Sequence, residues 1–295
     1  MTEQVSTSAA LSRLFSAGVF HELARFGRSP LFARLVIQAE LGAAKESELN
    51  VGQVFDEAFE KLRKTGLRNE YVYRAALVRN VLMGTHSLTT ASMLTEFRAA
   101  TSKADLVILN GTATVYEIKS ERDTLARLEK QVADYQKVFA KIFVIAGAEH
   151  VESIAQLVPE RVGVMCLKRW NRISTVREAI DCPHLVDPVT VFESLRSNEA
   201  IQVLKTLGIK VPDVPNTRLR AELRQKFNHI EPSLLHRTMV TVLKKTRDLS
   251  SLSNFVGKLP FSLQAAALTY KVKQDHQNNL LAAVSAPIDE AMAWT

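Results

Sequence analysis

The hydrophobic period of this chain changes twice, and those changes limit the folds open to it. From about Ala9 to Leu82, apolar residues recur every three or four positions, as in Leu11, Leu14, Phe15 and Val19, and in Val54, Ala58, Phe59 and Leu62. That spacing marks one face of a helix. Ser29-Pro30 and the stretch Gly42 to Asn50 divide the region into about three helices, and a further helix is expected from Arg68 to Met83. Between Ser92 and Leu167 the apolar segments become short, β-branched and bounded by turn residues. Ser92–Phe97, Ala104–Leu109, Thr112–Ile118, Ile142–Ala146 and Val162–Leu167 read as strands, with Asn110-Gly111 turning the second into the third. A helix from Asp123 to Ala140 interrupts them, with Leu125, Leu128, Val132, Tyr135 and Phe139 along one stripe.

After Trp170 the helical period returns. Beyond a connector carrying Pro183, Pro188, Pro212 and Pro215, helices are expected over Leu219–Phe227, Leu234–Thr246, Leu249–Phe255 and Leu263–Lys273. This order of elements predicts an α/β chain: a mixed central sheet flanked by helices, with helical additions at both ends. The expected segments are a helical extension over residues 1–66, a core over 67–175 and a basic helical region over 176–295.

Composition removes several classes. A chain of 295 residues, 46% hydrophobic and 23% charged, is neither disordered nor fibrous. Cys166 and Cys182 cannot staple a chain of this length, which predicts a reducing, cytoplasmic setting. No apolar run approaches the roughly 18 residues of a membrane helix, so no membrane partner is expected. Residues 201–275 hold 13 Lys and Arg against five Asp and Glu, a net of +8 in a chain whose total is +7. A basic tail of this kind suits a polyanion, and its removal is expected to weaken nucleic-acid binding. The seven histidines lack metal-ligand spacing, and no phosphate-cradling Gly-rich loop is present.

The chemistry-bearing stretch is Lys103-Ala104-Asp105-Leu106-Val107-Ile108-Leu109 followed by Tyr116-Glu117-Ile118-Lys119. Residues two apart on a strand share a face, so Glu117 and Lys119 project together between apolar Val115 and Ile118. A metal ion and a phosphate would satisfy both charges; a solvated strand face is the competing reading. Asp105 lies on the preceding strand, and the turn decides whether it meets Glu117. A two-residue Asn110-Gly111 loop sets Asp105 opposite Tyr116, whereas a three-residue or bulged loop sets it opposite Glu117.

A helical acid, a strand Asp and then Glu-x-Lys resembles the PD-(D/E)XK, or restriction-endonuclease-like, nuclease superfamily. The residues are Asp105 and Glu117-Ile118-Lys119, with Glu70 as the helical acid and Glu96 as its competitor. Ala104 stands where the family pattern has Pro. The helix that follows carries Gln131 and Tyr135, similar to the Gln-x-x-x-Tyr motif of RecB-like exonucleases. The resemblance covers Arg68 to Leu167.

The resemblance implies a restriction-endonuclease-like core and a Mg²⁺- or Mn²⁺-dependent nuclease hydrolysing phosphodiester bonds, in DNA rather than RNA. Asp105, Glu117 and Lys119 would be catalytic; Glu70, Asp105, Glu117 and the carbonyl of Ile118 would hold the metal. Gln131 and Tyr135 would hold the substrate strand or brace the metal ligands. An oxygen-only ligand set suits a hard ion. Removing Asp105 or Glu117 is then expected to leave the fold intact, because an empty metal site is a cluster of like charges. The alternative is a nuclease fold without turnover, kept to bind nucleic acid or a protein.

Overall fold

The computed structural model describes residues 2–42 and 49–294, so most of the break expected over Gly42 to Asn50 lies outside it. The chain forms two compact units. A helical unit comprises residues 1–81, 169–172 and 251–295; a sheet unit comprises 82–168 and 173–250. These discontinuous units differ from the three consecutive segments expected from the sequence.

The helical unit begins with α1 (Thr2–Leu14), α2 (Ala17–Phe26), α3 (Pro30–Gln38), α4 (Val51–Leu62) and α5 (Glu70–Leu77). Helix α5 starts where it does because the Asn69 side chain accepts the N–H of Val72. It is shorter than the expected Arg68–Met83 and gives way to a π-helical turn over Val78–Leu82. Phe15 stacks on Tyr71 at 4.6 Å, with Phe55 and Phe59 against the same ring. Burial raises the Tyr71 phenol above its ordinary range, and its hydroxyl donates to the carbonyl of Ser262.

The sheet unit carries six strands, β1 (Ser92–Ala99), β2 (Ser102–Asn110), β3 (Thr112–Lys119), β4 (Lys141–Ala146), β5 (Gly163–Leu167) and β6 (Ile173–Arg177), whose spatial order is their chain order. The first three are antiparallel, β3–β4 and β4–β5 are parallel, and β6 closes an antiparallel edge. Parallel neighbours need a crossover: α6 (Leu128–Gln136) supplies the first and α7 (Ala148–Leu157) the second.

Neither α7 nor β6 follows from the sequence pattern. Helix α7 buries Ile154 alone, and β6 is a half-exposed edge without an apolar run. The unit is completed by α8 (Pro188–Ser194), α9 (Ser197–Thr206), α10 (Asn216–Phe227) and α11 (Pro232–Thr246). Part of the expected Pro-rich connector is therefore helix. Pro188 is the first residue of α8, and Asp187 caps it by accepting the Thr190 N–H at 2.7 Å.

The chain then returns to the helical unit as α12 (Ser253–Gly257), α13 (Phe261–Tyr270), α14 (Gln274–Ser285) and α15 (Ile288–Met292). Helix α14 packs on α2 and α4, and α13 on α2, α4 and α5, which completes the apolar faces of the N-terminal helices. The basic region is accordingly not a tail. Leu223, Phe227, Leu235, Met239 and Leu243 share one apolar cluster with Val107, Val115, Val132 and Tyr135, so removing residues 201–295 would open both units. No described helix is long and apolar enough to cross a membrane.

Two buried polar groups secure the sheet unit. Glu199 is 1% exposed; its Oε1 accepts Arg247 Nε at 2.7 Å and its Oε2 accepts Nη2 at 2.9 Å. Burial alone would raise this carboxyl, but the Arg247 hydrogen bonds hold it below its ordinary range. His236 on α11 is buried against β3, where its Nε2 accepts the Ala113 N–H at 3.4 Å. Burial pushes its pKa down to about 4, against an upward pull from Asp181.

A lowered histidine pKa means that the unfolded chain takes up the proton first as pH falls. The stabilisation is complete above about pH 6.5 and declines as pH drops toward 4, by up to about 3 kcal/mol. Urea denaturation at pH 7 and pH 4.5 should show this loss, and His236→Gln should flatten it. An equally steep decline in the variant would assign the effect to other groups.

Candidate active site

The β2–β3 ladder runs Leu106↔Tyr116, Val107↔Val115, Ile108↔Thr114, Leu109↔Ala113 and Asn110↔Thr112. Gly111 sits at the tip with φ +71°, a conformation glycine adopts without penalty. This is the longer of the two turns open to the sequence. Continued by one step, the register sets Asp105 opposite Glu117. The ladder stops before that step. There the Asp105 Oδ2 accepts the Ile118 N–H at 2.8 Å, so a side chain replaces a main-chain partner where the strands part.

The β1–β2 register likewise sets Glu96 opposite Asp105, between the pairs Thr95↔Leu106 and Phe97↔Ala104. Glu96 has φ +52°, a strained conformation for a residue with a Cβ. Carboxylate oxygens of Glu96 and Asp105 come within 4.8 Å of one another, and Lys103 Nζ lies 3.7 Å from Glu96 Oε2. Three acids thus occupy one cross-strand row of β1, β2 and β3. Glu70 lies on α5 of the helical unit, where it pairs with Arg74.

Glu117 and Lys119 are 1% and 5% exposed, which removes the reading of a solvated strand face. Lys119 Nζ donates to Glu117 Oε1 at 2.9 Å and to Gln131 Oε1 at 2.8 Å. The Gln131 amide donates back to Glu117 Oε1 at 2.5 Å. Tyr135 completes the network. Its hydroxyl lies 2.6 Å from Glu117 Oε2 and 2.8 Å from the Lys103 carbonyl, sharing one proton between two acceptors.

Burial and the Glu117 charge both raise the Tyr135 phenol, so it remains a donor at any physiological pH. Gln131 and Tyr135 stand one turn apart on α6, the spacing that lets both reach the same carboxylate. Of the two roles expected for them, the geometry supplies contact with the acid.

Asp134, between those two residues, has a structural role that the sequence pattern does not predict. It accepts the hydroxyls of Thr101 at 2.7 Å and Ser102 at 2.9 Å, fastening α6 to the β1–β2 turn. Burial would raise its pKa, but these hydroxyls hold it below the ordinary range. The signal was a polar residue inside an otherwise buried helix face.

Residues 63–260 match the family of bacteriophage P4 protein cII. The chain belongs to that family. Protein cII of Enterobacteria phage P4 is 26% identical over 202 residues, covering 66% of this chain and 74% of the relative. The cII-family match takes in every residue of the network above. A Silicibacter pomeroyi protein of unknown function shares 18% identity over 40% of this chain and 81% of its own, with a TM-score of 0.28, too low to establish a common fold.

Proposed function

We propose that this cII-family chain is a metal-dependent nuclease with a restriction-endonuclease-like core, cleaving phosphodiester bonds in DNA in the cytoplasm. The observation that carries the reading is the buried Glu117–Lys119 pair beside Asp105 in cross-strand register. A buried ion pair is a poor stabiliser, because apolar residues of the same volume usually serve as well or better. Its presence beside a strained Glu96 and a parted ladder favours a chemical role over a structural one.

The donors Asp105, Glu117 and the Ile118 carbonyl fit a hard divalent ion such as Mg²⁺ or Mn²⁺. Three protein donors already approach the Glu117 oxygens, which leaves one lone pair for the ion, so Asp105, the Ile118 carbonyl and Glu96 would supply the other protein oxygens. When bound, such an ion lowers the pKa of a water and screens the scissile phosphate. Lys119 would direct its positive charge at the reacting phosphate, while Gln131 and Tyr135 hold Glu117 in one rotamer. Glu96 is the third acid that the sheet unit itself offers, and Glu70 on α5 stays the other candidate.

The same crowding of Glu117 favours a second reading, a nuclease fold that binds nucleic acid without turnover. Linear, circular and single-stranded DNA incubated with Mg²⁺, with Mn²⁺ and with chelator separate the two. Metal-dependent cleavage is expected, and Asp105→Asn, which removes a metal ligand, should abolish it. Retained DNA binding with no cleavage under either metal would leave the second reading.

A further inference from the structure

We propose that a cleft in the helical unit, lined by Glu60, Arg63, Lys64, Arg68, Arg169 and Trp170, binds single-stranded nucleic acid. A base would stack on Trp170 while the surrounding cations hold the phosphates. The proposal rests on the preceding reading only in taking nucleic acid as the partner; it requires neither metal nor cleavage.

Trp170 is the first observation. It is 69% exposed, the largest fraction among the exposed large apolar residues. Its backbone is left-handed, at φ 61° and ψ 30°, and Asn171 follows at φ 55°. A bulky side chain at positive φ is a genuine outlier. Here the strained conformation presents an indole to solvent and gains no burial from it.

The loop is nonetheless fixed, since Asn171 is buried and its carbonyl accepts the Asn80 amide at 2.8 Å. Strain that packing does not explain, held in place by an anchored neighbour, is a reason to look for a ligand.

The surroundings indicate which ligand. The Arg63 guanidinium lies 5.1 Å from the Trp170 ring centroid and pairs with Glu60, so the one carboxylate in the cleft is already engaged. Arg68 is buried, and its Nε donates to the Arg63 carbonyl at 3.1 Å, which fixes the turn after α4. Lys64 and Arg169 are exposed at the rim. Lys64 and Arg169, with Arg63 beside the ring, surround a cleft of about 440 Å³, a volume suited to a nucleotide. An aromatic face with flanking arginines and lysines is how proteins hold unpaired bases and their backbone. A duplex hides its base faces and would use only the cations.

The test uses the full chain with chelator present, titrated with a fluorescein-labelled twelve-nucleotide oligothymidylate and with a duplex of equal length. Wild type should bind the single strand with quenching of tryptophan emission. Trp170→Ala should weaken that binding on the order of 10- to 100-fold, the range seen when a stacking aromatic is removed. Trp170→Phe should retain most of the affinity but lose the quench, leaving only Trp294.

Lys64→Glu with Arg169→Glu should weaken binding and flatten its salt dependence. All variants should melt with wild type, since the residues replaced are exposed. Equal affinity of wild type and Trp170→Ala for the single strand, or an equal loss for strand and duplex, would overturn the stacking site. Quenching here with no cleavage in the separate Mg²⁺ and Mn²⁺ incubations would reject the nuclease while upholding the cleft; cleavage there without quenching here would do the reverse.

Discussion

Lys119→Ala should destabilise the sheet unit by about 3–5 kcal/mol, the cost of leaving one member of a buried ion pair without its partner. Glu117 is 1% exposed, and among the described residues the ammonium is the only cation bonded to it. Without it, the Gln131 amide and Tyr135 hydroxyl remain, two neutral donors against a full buried charge. Glu117→Gln should cost a similar amount by stranding the ammonium. The double variant Glu117→Gln/Lys119→Met, which removes both charges, should recover much of the loss. With the single variant Lys119→Met added, urea denaturation of wild type, Glu117→Gln, Lys119→Met and the double variant closes the cycle, and additive losses would show that the pair is not coupled.

Asp105→Asn should behave differently. Asp105 and Glu96 are like charges within 4.8 Å, so removing one should hold stability or raise it. The expectation that an empty metal site tolerates loss of either carboxylate is therefore kept for Asp105, whereas for Glu117 the buried Lys119 predicts a loss. A loss of cleavage in Lys119→Ala means little unless the variant is shown to be folded.

The hairpin and the place of the helix after it were legible because their signals are local, though α6 covers only Leu128–Gln136 of the expected Asp123–Ala140. Alternating Val107, Leu109, Ala113 and Val115 fix the period of two, and Gly111 accepts the φ that the turn demands. Apolar Val115 and Ile118 around Glu117 announced a burial problem, which the structure solves with Lys119, Gln131 and Tyr135. Which loop length closed the turn was beyond the sequence, since both are compatible with Asn110-Gly111.

The division into units was illegible for a different reason. Residues 251–295 complete the faces of α2, α4 and α5 from the far end of the chain, and no window of sequence contains both partners. Trp170 gave no signal at all. An isolated tryptophan in a loop looks the same whether it is buried or presented to solvent.

Arg247→Ala should produce the second large loss, again about 3–5 kcal/mol, by abandoning Glu199 in the interior. The arginine does more than neutralise. Its bidentate grip on Glu199 leaves the carboxylate free also to accept the Arg196 N–H at 2.9 Å, which closes the first turn of α9. Its guanidinium lies 5.2 Å from the Phe97 ring of β1, and its carbonyl accepts the Ser92 hydroxyl at the start of that strand. One residue after α11 therefore ties α9 to the strand that bears Glu96.

Arg247→Lys keeps the charge but not the two-point geometry, and should restore only part of the stability. Because Glu199 is held below the ordinary carboxyl range, wild type gains stability above the unfolded carboxyl pKa and loses it as pH falls through the lower folded value. Arg247→Ala should lose that acid dependence as well. Chemical denaturation at pH 7 and pH 3 reads both effects at once. A variant as stable as wild type at pH 7, with its acid sensitivity unchanged, would mean that the Glu199–Arg247 pair does not hold the unit together.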